Sequence, residues 1–457
     1  MMRAFGEPKL DVGDVQGNVL RGYGFPFAAY VWLHVGDGAA GRAWLDAVVP
    51  RVTTAEPWQA GKPETTLNVA LTYAGLQALG VPAPLLDDFP EEFSAGMAAR
   101  AEHMRDSGED LAEHWDEGFG TGEASILVTL NAREQGRLDD AVGELLGELE
   151  GTPLKVLHVE RAAVLAGNRE HFGFSDGFAQ PAVAGDGNIS KRGDGKPEAD
   201  DRWDELALGE FILGYEDEDR QLPLAPRGPL GRNGTFMVYR KLHQDVAAFR
   251  RALRERAATL RLDEEELAAK VMGRWRDGTA LALTTSADDH DRYLTPDRIN
   301  DFRYEDDPEG LRCPLGAHVR RVNPRDALGW HSTRSRRHRM IRRGMPYGPP
   351  APDGEQDDGE DRGLVFVAFC SSIQRQFEIV QAQWCADGNI FGLGEDKDWV
   401  LVPDDRPTAK MTIQGSPPRF VAGQPRFVTV RAGEYLLVPS IAGLRELSRG
   451  PRASGAG

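Results

Sequence analysis

Cysteine is scarce in this 457-residue chain: Cys313, Cys370 and Cys385 are an odd number with no CxxC spacing. That argues against a disulfide framework and a zinc site, and it suits a reducing compartment. Long apolar runs are missing as well. No stretch approaches the ~20 residues that a membrane helix needs. The opening MMRAFGEPKLDVGDV has neither an apolar core nor a twin arginine, so it does not read as an export signal. Basic residues are outnumbered, 54 against 72 acidic, for a net charge of −18, which argues against nucleic acid or an anionic membrane as a partner. The expectation is a cytoplasmic protein.

What is present reads as a globular protein, 40% hydrophobic and 28% charged, and too long for one core. Four β-prone runs each lead into a helical pattern. AAYVWLHV (28–35) precedes a stripe of Trp44, Leu45, Val48 and Val49, and SILVTL (125–130) precedes Leu138, Val142, Leu145 and Leu146. TFMVYR (235–240) precedes Leu242, Val246, Phe249 and Leu253, and GLVFVAFC (363–370) precedes Ile373, Phe377, Val380 and Trp384. Two strand–helix units per half predict two α+β sandwiches, each an antiparallel sheet with helices on one face. The polar, glycine-rich stretch 185–201 reads as the loop between them, dividing the chain into 1–184 and 185–457; 287–298 and the acidic run 352–362 read as further loops.

Three segments carry chemistry: GFSDGFAQP (173–181), CPLGAHVRRVNPRD (313–326) and RRGMPYG (342–348). They offer a carboxylate in a glycine-flanked turn, a histidine able to bind a metal, and a guanidinium. That is the minimal kit for cleaving a peroxide on haem iron. Taken alone, GFSDG is a loop with an Asx-turn, and each of ten histidines has an equal claim to an iron. Ten arginines between Arg312 and Arg343 face a single acid, Asp326. Such a basic island suits the two propionates of a haem; a nucleic acid or other polyanion is the competing use, but no aromatic interleaving supports it.

In order and wording these segments resemble the dye-decolorizing peroxidase family. DVQGNVLRGYGFPFAAYVWLHV, NGTFMVYRKLHQDVAAF, AKVMGRWRDGTAL and RQFEIVQAQW extend the likeness over most of the chain. The resemblance implies tandem ferredoxin-like domains with haem b held mainly by the C-terminal half. It implies a peroxidase that oxidises dyes, phenols or other aromatic reductants with hydrogen peroxide through a ferryl species, and a tendency to self-associate. A haem carrier or storage protein on the same scaffold is the alternative, as is an enzyme that releases iron from haem.

Residue by residue, His318 falls on the family's axial ligand, Asp176 on its proton-transferring acid, and Arg342, five residues before Tyr347, on its charge-stabilising arginine. Gly173 and Gly177 let the turn approach a flat macrocycle. Leu364 and Phe366 are an apolar lid, and Arg334 is offered to a propionate. His171 lines the peroxide entrance, touches a propionate or is structural. The slot where some relatives carry an acid to orient the axial histidine holds Ser372, with Glu378 as substitute. Tyr347 is the first candidate for carrying electrons from bulky dyes. The tail LSRGPRASGAG lacks the apolar residues of a peptide for loading into a nanocompartment.

Overall fold

The computed structural model describes residues 10–188, 190–198, 202–329 and 332–450. The readings of the first nine and last seven residues lie outside it. In the N-terminal half β1 (Phe27–Val35), α1 (Gly38–Val48), β2 (Thr65–Leu71), β3 (Ile126–Ala132), α2 (Gln135–Leu149) and β4 (Leu154–Ala163) follow in that order. The C-terminal half gives β5 (Thr235–Gln244), α3 (Val246–Leu260), α4 (Glu264–Met272), α5 (His318–Val322), β6 (Ile341–Arg342), β7 (Met345–Tyr347), β8 (Gly363–Cys370), β9 (Val428–Val438) and α6 (Ile441–Arg449). Between β8 and β9, Gln374–Glu378 and Val380–Cys385 form wide, π-type helical turns.

The first sheet runs β2–β3–β1–β4 and the second β9–β5–β8–β7, both antiparallel. These are two ferredoxin-like sheets, but they are not separate sandwiches. Leu71 pairs with Leu437 at one edge and Ala162 with Tyr347 at the other, so eight strands close one barrel, with β6 appended to β8. Closure leaves neither sheet with a bare edge.

Alternation decides what each face does. Ala28, Tyr30 and Trp32 of β1, Met237 and Tyr239 of β5, and Val365 and Val367 of β8 fill the barrel. There Trp32 meets Tyr239 edge-on with centroids 4.9 Å apart, and each such buried aromatic contributes about 1.5–3 kcal/mol. The intervening residues of β1, Ala29, Val31 and Leu33, pack outward with Trp44, Leu45, Leu138, Val142 and Leu145 of α1 and α2. Leu149, not Leu146, completes the α2 stripe. Leu242 belongs to β5, because Asp245 caps α3 through Ala248 N–H and starts the helix at Val246.

The halves are also fastened by charge. Within residues 90–110, Arg100 grips Glu378 with two hydrogen bonds of 2.9 and 2.6 Å, Asp106 pairs with Arg240, and Asp110 with Arg426 at 2.6 Å. The Arg100–Glu378 and Asp106–Arg240 pairs are buried, so breaking one side costs about 3–5 kcal/mol.

Glu434 on β9 is different, being buried with no ion pair among the described residues. Burial raises its carboxyl to about 8 against an opposing Tyr435 N–H. The folded chain therefore holds a proton that an unfolded glutamate, ionising near 4.3, has lost; this term makes stability fall as pH rises from about 4.3 to 8. Glu434→Gln is expected to be more stable than the parent at neutral pH by about 1–3 kcal/mol, the gap closing at pH 4. Parallel melting-temperature profiles of the two proteins across that range would refute this.

Candidate active site

The outer face of the second sheet carries the site. Arg240, Leu242 and Gln244 of β5, Leu364 and Phe366 of β8, and Val428 and Val430 of β9 all point one way and floor a cavity of about 400 Å³. Helix α5, the 377–386 turns and residues 400–403 enclose it, and the N-terminal half adds residues 105–110 and 170–179.

His318 opens α5. Its Nδ1 donates to Asp398 Oδ2 at 2.7 Å, which leaves the Nε2 lone pair for a metal. Asp398 is fully buried, and its other oxygen accepts Val400 and Leu401 N–H, both at 3.0 Å. Burial opposes charge on the ring, but the Asp398 carboxylate outweighs it and raises the His318 pKa. Burial likewise works against Asp398, yet His318 and then Arg321 hold its carboxyl below the usual range. The orienting acid is thus Asp398, eighty residues downstream, and neither Ser372 nor Glu378. Ser372 accepts Arg375 N–H at 3.3 Å, and Glu378 is taken by Arg100 and by the Tyr435 hydroxyl at 3.0 Å.

Asp176 stands on the turn whose flanking Gly173 and Gly177 have φ of +96° and +89°. The positive φ is what requires glycine there. Asp176 Oδ1 accepts Gly177 N–H at 2.6 Å and lies 3.9 Å from Arg342 Nη2. Arg342, on β6, is placed by pairing with Ala368 and by Gln180, whose amide bonds both its N–H (3.0 Å) and its carbonyl (3.1 Å). One motif therefore supplies the acid and clamps the arginine. Arg343 turns away to the Asn18 and Val19 carbonyls.

Of the remaining candidates, His171 takes the structural one of its three readings and Arg334 lies away from the cavity. His171 is buried off the cavity, its Nε2 bonded to the Tyr347 carbonyl at 2.8 Å. Arg334 is exposed and does not line the cavity. The arginine island is mostly structural: Arg320 and Arg321 bind carbonyls, and Arg336 and Arg337 pair with Glu218 and Asp217. Arg325, Arg339 and, from outside the island, Arg274 line the cavity. All three are buried, held by carbonyls of Gly193, Asp194 and Gly278 among others, and form no ion pair among the described residues. Burial pushes each down to about 10, so they remain charged. The stretch 190–198 that reads as a linker in fact supplies two of those carbonyls. Buried cations without a direct ion-pair partner, beside an apolar wall and a free imidazole nitrogen, suit a flat, apolar, metal-bearing anion.

Comparison with known proteins agrees. Residues 14–163 match the DyP dimeric alpha+beta barrel domain, and 224–390 the C-terminal domain of Dyp-type peroxidases. A multifunctional dye peroxidase of Amycolatopsis sp. is 30% identical over 97% of both chains, and a dye-decolorizing peroxidase of Mycetinis scorodonius 29% over 95% of this chain and 87% of its own. The crystal structure of a fungal DyP-type peroxidase from Auricularia auricula-judae superposes with a TM-score of 0.82 over 96% of this chain and 100% of its own, at 24% identity. Asp176 and Asp398 fall outside both matched domain spans.

Proposed function

The chain belongs to the dye-decolorizing peroxidase family, and we propose how its own residues divide the work. It is a haem b peroxidase that oxidises dyes with hydrogen peroxide. When bound, the haem would supply the iron and the oxidising equivalents for this chemistry. His318 Nε2 would hold that iron, and Asp398 keeps the ring in the tautomer that leaves Nε2 unprotonated. Arg274, Arg325 and Arg339 are the cations for the propionates, and Leu364 and Phe366 keep the reacting face dry.

Asp176 takes the proton from the nearer peroxide oxygen and returns it to the farther one as the O–O bond opens. Arg342 stabilises the negative charge on the leaving oxygen. The observation that carries this reading is the Asp176–Arg342 pair, 3.9 Å apart in the cavity that also holds His318. A haem carrier needs the imidazole and the cations but not this pair. The test is stopped-flow absorbance of the haem-loaded protein after one equivalent of peroxide. A rapid haem-band shift, lost in Arg342→Leu, supports the reading, whereas a bound haem that stays inert in the parent protein supports carriage.

Tyr347 suits electron relay from bulky, aromatic reductants. Its buried phenol donates to Asp361 Oδ1 at 3.0 Å, and loss of an electron from a phenol needs such a proton acceptor. Tyr347→Phe is expected to slow turnover of a bulky dye about tenfold, the factor of ~1.4 kcal/mol in barrier, with the peroxide step untouched. Unchanged dye turnover would remove Tyr347 from the route. Three buried free thiols, Cys313, Cys370 and Cys385, support a cytoplasmic location. Among the described residues no helix is long and apolar enough to cross a membrane.

A further inference from the structure

Glu170 has no part in the proton transfer above, yet it lines the same cavity six residues before Asp176. Its Oε1 accepts Phe174 N–H at 2.9 Å, and its Oε2 accepts Phe172 N–H at 2.9 Å and the Gln244 amide at 2.6 Å. Its own carbonyl accepts Gly173 N–H at 2.9 Å, and its N–H donates to the Phe174 carbonyl at 3.0 Å. Four of these hydrogen bonds close residues 170–174 on this one residue, and the fifth ties it to Gln244. Gln244 is the last residue of β5 and 6% exposed, so the turn is referred to the sheet that floors the cavity. Beyond the turn, Ser175 N–H reaches the Arg276 carbonyl at 2.8 Å and the chain delivers Asp176 beside Arg342.

We propose that Glu170 is a positioning residue for Asp176, its two oxygens serving as the template that aims the GFSDG turn into the cavity. This rests on the reading of Asp176 as proton carrier. Only a carboxylate meets the requirement, because three N–H groups converge on two oxygens and both must accept. A glutamine has one accepting oxygen and sets its NH₂ against an N–H whichever way it turns, so the turn opens. Burial favours the neutral acid and raises the Glu170 pKa, while Gln244 and the two main-chain donors pull toward the ionised form.

The test compares Glu170→Gln, Gln244→Leu and Asp176→Asn with the parent. In the haem-free chain, hydrogen exchange of a peptide spanning 170–177 is expected to quicken about tenfold in Glu170→Gln, and less in Gln244→Leu. In the haem-loaded protein the resting spectrum stays the same. Cyanide, which must give up its proton to the cavity carboxylate to bind iron as an anion, is expected to bind about tenfold more weakly, and kcat/KM for peroxide to fall about 10- to 100-fold. KM for the dye and the acid limb of the pH profile stay in place. Unchanged exchange and peroxide rates in Glu170→Gln overturn the proposal, and so does loss of the acid limb, which makes Glu170 itself the proton carrier. If Asp176→Asn keeps the parent's peroxide rate, the reading of Asp176 has failed. If it is inactive while Glu170→Gln is normal, only the positioning role has.

Discussion

Replacing Asp176 with asparagine is expected to slow the reaction with hydrogen peroxide by about 100- to 10,000-fold, the span a positioned proton-transfer group contributes, with haem still bound. The change is nearly isosteric. The asparagine oxygen can still accept Gly177 N–H, so the turn set by Gly173 and Gly177 stands, and the His318–Asp398 hydrogen bond is untouched. What is lost is the ability to take a proton and give it back. The pH profile separates this base from a histidine. An imidazole base, with a reference value near 6.5, would be protonated at about pH 5, so a peroxide rate that persists there is the expected mark of a carboxylate base. Stopped-flow rates from pH 4 to 8, with haem occupancy followed in the same samples, check both statements. Activity that dies below neutrality while haem stays bound would rule out a carboxylate base, and an Asp176→Asn variant at the parent's rate would rule out this one.

The strands legible in the sequence are those whose two faces are both covered. AAYVWLHV and GLVFVAFC are almost wholly apolar because α1 and α2 or the cavity lie on one side and the barrel interior on the other. β2 and β9 escape notice for local reasons: Asn68 interrupts one and Gly433–Glu434 the other. The closed barrel could not be read at all, since each seam rests on a single residue pair, Leu71 with Leu437 and Ala162 with Tyr347, far apart in the chain. Within the site, Asp176, His318 and Arg342 stand in motifs because a turn, a helix start and a short strand each fix one side chain locally. Asp398 has no such signal; it is brought to His318 only by the chain's return after Cys385. Glu378 sat nearer the slot where the sequence invites an acid, but burial beside Arg100 had already committed it. Arg325 and Arg339 were within view in the arginine island. Their distinction from Arg334 is burial on the cavity wall, which only the fold reveals.

The second large effect concerns that partnership. His318→Ala is expected to abolish iron ligation, and Asp398→Asn to weaken haem binding by about 10- to 100-fold, the usual cost of losing a partner behind a metal-bound histidine. The asparagine should do more harm than its size suggests. Asp398 accepts on both sides, from His318 Nδ1–H through one oxygen and from Val400 and Leu401 N–H through the other. An asparagine that keeps its oxygen toward Val400 and Leu401 turns its NH₂ toward His318. Nδ1 must then accept, the ring proton moves to Nε2, and the nitrogen meant for iron becomes a donor. Flipping the amide restores His318 but sets NH₂ against two main-chain N–H groups in a fully buried place, at about 1–3 kcal/mol for each unmade bond. Absorbance titration of the haem-free chains with haem, at a pH where His318 is neutral, measures the result directly. Equal affinity in Asp398→Asn and the parent would show that the tautomer is set by something other than Asp398, and a haem bound as tightly by His318→Ala would place the ligand elsewhere in the cavity.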